Sequence, residues 1–118
     1  MDNSVKNKYE HLRMQGFDDD TERNEFRVQR VYRSGVENID VLTADVAPGR
    51  VALGYNIWFA NGRNVMRKPM AEAGVFRTDS DALLWFLGYI TAHGKYFTAD
   101  ALAEVRRQSL KLEQGSLF

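Results

Sequence analysis

The chain contains no cysteine. That excludes a disulfide framework, a thiolate zinc site and a cysteine nucleophile, and it fits a cytoplasmic protein. Proline occurs only at Pro48 and Pro69, so no proline-rich linker separates two units. No run approaches the roughly 18 apolar residues of a membrane span. Met1 to Gly16 is polar and lacks the apolar stretch of a signal peptide. Histidine is scarce, at His11 and His93, and no pair has metal-ligand spacing. Net charge is absent too: 16 basic residues balance 16 acidic ones. A uniformly basic nucleic-acid binder is thereby disfavoured, while a local patch stays open. What remains is 118 residues, 44% apolar and 27% charged, which is one globular domain able to bury a core.

The local patterns order into elements. Residues 4–15 suit a short helix, with Ser4 as N-cap, Val5, Tyr9 and Leu12 at helical spacing, and Gly16 as its stop. Phe17 leads into an acidic loop at Asp18-Asp19-Asp20. Glu25 to Arg33 alternates as a strand, placing Arg27, Gln29 and Arg33 on one face. Residues 36–46 fit a strand through Ile39, Val41 and Thr43, or a helix with Ser34 and Glu37 as a capping box; β-branched content favours the strand. Pro48-Gly49 forms a turn. Arg50 to Ala60 and Arg63 to Lys68 form a hairpin about Asn61-Gly62, the preferred type I′ pair. With that two-residue loop, Trp58 opposes Val65, and Asn56, Trp58, Arg63 and Arg67 share a face. Val75 to Arg77 adds a short strand. Thr78 or Ser80 caps a strongly apolar helix running to His93, where a cationic imidazole suits the helix end. Thr98 caps a second helix, Phe97 and Leu102 staple it, and Leu102, Val105, Ser109 and Leu112 form its inner stripe.

The expected fold is α+β: an antiparallel meander of three to five strands packed against two C-terminal helices, after a short N-terminal helix. A single domain spans 1–113, with an N-terminal helix and loop over 1–24 able to move on it. A peptide follows at 114–118.

Catalytic signals are sparse. The serines have no G-x-S-x-G setting, and neither a P-loop nor G-x-G-x-x-G occurs. The three aspartates lack the alternating ligands, central glycine and terminal glutamate of a calcium loop. No catalytic residue, metal or cofactor is assigned, and a non-enzymatic role is expected.

Charge is nevertheless uneven. Residues 21–68, the sheet region, carry a net +3, against −2 before them and −1 after them. Arg27, Arg33, Trp58, Arg63 and Arg67 are the candidates for single-stranded nucleic acid, through phosphate contacts and base stacking. The alternative is a solvated sheet face with Trp58 partly covered. In architecture alone the order is similar to small strand-then-helix proteins that bind single strands.

The last five residues, Gln114-Gly115-Ser116-Leu117-Phe118, resemble the peptide with which bacterial proteins bind the replicative sliding clamp. That pattern is Gln, two variable residues, Leu and Phe. The resemblance implies that Gln114 enters a small polar subsite and that Leu117 and Phe118 fill an apolar pocket. Gly115 stands where stronger versions often have Leu. The competing expectation is that Leu117 folds back on Leu110 or Leu112, past a helix-ending Gly115. The resemblance implies a small DNA-metabolism accessory protein of bacterial or mobile-element type. The alternatives are a single-strand-binding module, or an adaptor or inhibitor that binds protein.

Overall fold

A computed structural model describes residues 6–17 and 23–115. Its elements are strands β1 (Arg27–Ser34), β2 (Glu37–Ala47), β3 (Arg50–Trp58), β4 (Asn64–Arg67) and β5 (Val75–Phe76), and helices α1 (Asp79–Ala92) and α2 (Ala99–Gly115). The strands form one antiparallel sheet in the order β1-β2-β3-β4. β5 pairs with the start of β3 and β4 with its end, so the two lie on the same edge of β3. This is the expected α+β fold.

Residues 37–46 resolve as strand, with Val36 in the turn before it. β2 is an inner strand, paired on both edges, and its eight residues from Glu37 to Ala44 are all buried. Two ladders outweigh the helical alternative, and Ser34 and Glu37 form no capping box. Ile39, Val41 and Ile57 face Leu83, Phe86, Leu87 and Ile90 of α1 and Ala101 and Val105 of α2. Burying such side chains contributes about 1.5–3 kcal/mol each.

Both helix starts follow their local chemistry. Thr78 accepts from Asp81 N at 3.0 Å, and Asp79 and Asp81 lie in the first turn. His93 is the C-cap of α1. Thr98 accepts from Ala101 N at 3.3 Å. The buried stripe of α2 is Ala101, Val105 and Ser109, with Leu102 and Leu112 packed at its margins. α2 runs through Gly115 instead of stopping before it.

The expected N-terminal helix is reduced to a single 3-10 turn, Glu10–Leu12; Ser4, Val5 and the Asp18-Asp19-Asp20 run lie outside the described residues. So short a segment makes too few hydrogen bonds to offset helix nucleation, and tertiary contacts shape it instead. Tyr9 is buried, Asn7 donates from its side chain to Trp85 O at 2.9 Å, and Met14 bridges to Val75.

Beyond Arg67 the chain leaves the β3 edge and crosses the outer face of the sheet, the face away from the helices. It passes directly over Gly54, where a Cβ would lie 2.2 Å from Arg67 O and 2.7 Å from Pro69 N. Leu42, Ala44 and Ala52, which share this face with Gly54, are buried.

Candidate functional site

The site takes its shape from the β3–β4 hairpin. Phe59 N donates to Arg63 O at 2.8 Å and Gly62 N to Phe59 O at 2.9 Å. The loop therefore holds three residues, Ala60, Asn61 and Gly62. Gly62 alone of them has a positive φ, +90°, whereas a type I′ turn needs one at Asn61 as well. The register moves by one residue: Trp58 pairs with Asn64, Ile57 with Val65 and Tyr55 with Arg67. A slip of one exchanges the two faces of a strand. Arg63 and Arg67 consequently stand on the helix side with Phe59, Ile57 and Tyr55, and not beside Trp58 and Asn56 as expected.

A second irregularity separates the remaining pair. In β1 the register shifts between Arg30 and Tyr32, leaving Val31 as a bulge. Val31 turns into the core, and Gln108 of α2 donates to its carbonyl at 2.8 Å. Across the bulge the alternation resets, so Arg33 joins Arg30 on the outer face and does not share a face with Arg27. Arg27 is drawn into an ion network, with Nε 2.8 Å from Asp79 and Nη2 3.0 Å from Asp45. Hydrogen bonds to these carboxylates raise its pKa further. Its charge joins β1 and β2 to the start of α1.

The moved arginines border a groove of about 630 Å³ between the hairpin and the corner joining α1 to α2. Tyr55, Phe59, Tyr89, Tyr96 and Phe97 form its walls. Phe59 lies 5.5 Å from Phe97 and 6.4 Å from Tyr96, ring centre to ring centre, and the His93 ring is 4.5 Å from Tyr89. Burial pushes the Tyr89 hydroxyl pKa up and Tyr55 adds to this, against a smaller opposing effect of Arg67. Tyr89 therefore remains a neutral hydrogen-bonding group. Tyr96 is 56% exposed and Val65 43%, so part of the wall is open to solvent.

Neither a family model, a curated protein nor a solved structure matches this chain. The site is therefore read from its own chemistry.

That chemistry is one-signed. Arg63, His93 and Lys95 line the groove, Arg67 adjoins it, and no aspartate or glutamate is in the lining. Among the described residues Arg63, Arg67 and Lys95 have no carboxylate partner. The Lys95 ammonium instead lies 5.2 Å from the Tyr96 ring centre. Unpaired cations beside exposed aromatic rings suit a ligand that is both anionic and flat.

Trp58 and Arg33 sit apart, on the outer face with Asn38. Gln114 is exposed in the last turn of α2, while Leu117 and Phe118 lie outside the described residues. Among the described residues no three acidic or histidine side chains cluster to hold a metal, and no helix is long and apolar enough to cross a membrane. Sequence reasoning missed Phe59, Tyr89, His93, Lys95 and Tyr96. The available signal was the run His93-Gly94-Lys95-Tyr96-Phe97, which sets aromatics and a cation side by side between two helices.

Proposed function

We propose that this protein is a non-enzymatic module that binds single-stranded nucleic acid in the aromatic groove. The observation carrying this reading is the groove's charge: Arg63 and Lys95 line it and no acidic residue does, in a chain with no net charge. Bases would stack on Tyr96 and Phe59, and phosphates would meet Arg63, Lys95 and Arg67. Stacking is worth about 1–3 kcal/mol per base and tolerates any sequence.

The test is fluorescence anisotropy of a labelled oligothymidylate against the full chain at several salt concentrations. Binding should weaken with salt, with a log–log slope reduced by about 0.7 for each phosphate contact removed. Tyr96→Ala and Arg63→Ala should each weaken it about tenfold, which is about 1.4 kcal/mol. Both side chains are exposed, so the fold should tolerate their loss. Unchanged affinity in both variants would remove the groove from the interaction.

A second reading concerns the segment Gln114–Phe118, the sliding-clamp peptide of the resemblance. It is favoured by the exposure of Gln114 and by the open space around Gly115, where a Cβ would meet nothing within 4 Å. The two readings are compatible: the tail would bring the groove to DNA under replication or repair.

A further inference from the structure

We infer that a bound single strand continues from the groove around the hairpin tip into a second subsite on the outer face of the sheet. The inference rests on the nucleic-acid reading of the groove and extends it. Trp58 and Phe59 are consecutive, so their side chains point to opposite faces. The hairpin end thus presents an aromatic ring to each side. Phe59 belongs to the groove. Trp58, 41% exposed, borders a separate depression of about 370 Å³ together with Arg33, Asn38, Asp40 and Asn56.

The outer depression carries its own mark of an absent partner. Arg33, Asn38 and Trp58 form one cross-strand row. Asn38 is only 9% exposed and gives its amide hydrogen to Asp40 at 2.9 Å, yet its Oδ1 is buried without a donor. Buried side-chain acceptors are ordinarily satisfied. An N–H of a base stacked on Trp58, with the Arg33 and Trp58 side chains parted around it, would supply the missing donor.

Charge favours the same path. Asp40 is held by Arg30 at 3.2 Å and by Asn38, and Glu37 is buried against Thr98. Among the described residues Arg33 has no carboxylate partner, so it is available to a phosphate. The rim between the subsites thus presents no unengaged carboxylate from these strands. Crossing a sheet edge of roughly 10 Å is within the reach of strands that occupy about 4–16 nucleotides on a single fold.

The experiment compares the full chain's affinity for labelled oligothymidylates of about four and about twelve nucleotides, lengths near the ends of that range. The longer strand should bind at least tenfold tighter. Trp58→Ala and Arg33→Gln should each remove most of that gain while the four-nucleotide affinity changes less than twofold. Two variants are used because Arg33 is exposed, so Arg33→Gln keeps the fold if Trp58→Ala does not. A length gain that survives in both variants overturns the outer subsite and leaves the groove reading standing. Failure of either oligonucleotide to bind the unaltered chain overturns both. Loss of the four-nucleotide affinity in Arg33→Gln would place the primary site on the outer face and also overturn the proposed path.

Discussion

Gly54 shows how much one residue can hold in this molecule. A Cβ there would meet three backbone atoms of the crossing strand, Arg67 O, Pro69 N and Lys68 C, all within 2.8 Å. Backbone yields less readily than the end of a side chain. Gly54→Ala should therefore lift Lys68–Pro69 off the sheet and cost about 3 kcal/mol, at the upper end of overpacking penalties. Urea denaturation of the variant checks this, and a loss below about 0.5 kcal/mol, the usual scatter for unconstrained surface changes, would show that the crossing is not closely seated. The sequence contains this glycine in a strand, which marks a close approach in general. It does not say which segment approaches, because Pro69 is brought there by the end of β4 and by nothing local.

At the scale of elements, what was legible followed from short-range chemistry. Thr78 with Asp79 and Asp81 announced α1, and Thr98 with the Phe97–Leu102 staple announced α2, because a cap is made by neighbours in sequence. The strand at 36–46 was recoverable from its β-branched residues. Two features escaped for one physical reason. Period-two alternation survives neither a bulge nor a misjudged loop length, so the Val31 bulge and the three-residue loop Ala60–Gly62 each exchanged faces downstream. Arg27, Arg33, Arg63 and Arg67 were therefore given the wrong neighbours: Arg27 joins an ion network, Arg33 the outer face, and Arg63 and Arg67 the helix side. A local cap was Glu37's role only in the less favoured helical alternative for 36–46; in the fold it reaches across to α2. It is 3% exposed and accepts from Thr98 N at 3.1 Å and from Thr98 Oγ1 at 2.5 Å. It so fixes the start of α2, and with it Phe97 at the groove wall. Glu37→Gln retains the shape but loses the anion facing the helix N-terminus and one acceptor. Stability should fall by about 1–2 kcal/mol, read as a lower urea midpoint with an unchanged slope. An unaltered midpoint would mean that Thr98 alone holds that end of α2.

At the scale of the whole molecule, neutrality conceals a division of labour. Carboxylates from α1 and β2 engage Arg27 and Arg30, while among the described residues Arg63, Arg67 and Lys95 have no carboxylate partner. Net charge was therefore a poor guide to the groove: it sums groups that the fold holds apart. The segment Gln114–Phe118 raises a corresponding question about apolar residues, since Leu117 and Phe118 serve either a partner or this core. The core of α2 is already occupied by Ala101, Val105 and Ser109, with Leu112 packed against it. Leu110, one turn before Gln114, is 51% exposed. A chain ending at Gly115 should on this argument keep its thermal midpoint within about 2 °C, less than the shift produced by 1 kcal/mol in a domain of this size. The same truncation should abolish binding to a purified bacterial sliding clamp, measured by surface plasmon resonance beside the full chain. Oligothymidylate binding should survive it, because the groove lies at the opposite end of α2. A truncated chain that melts several degrees lower, from a full chain that never bound the clamp, would assign Leu117 and Phe118 to the core and leave the groove as the protein's binding surface.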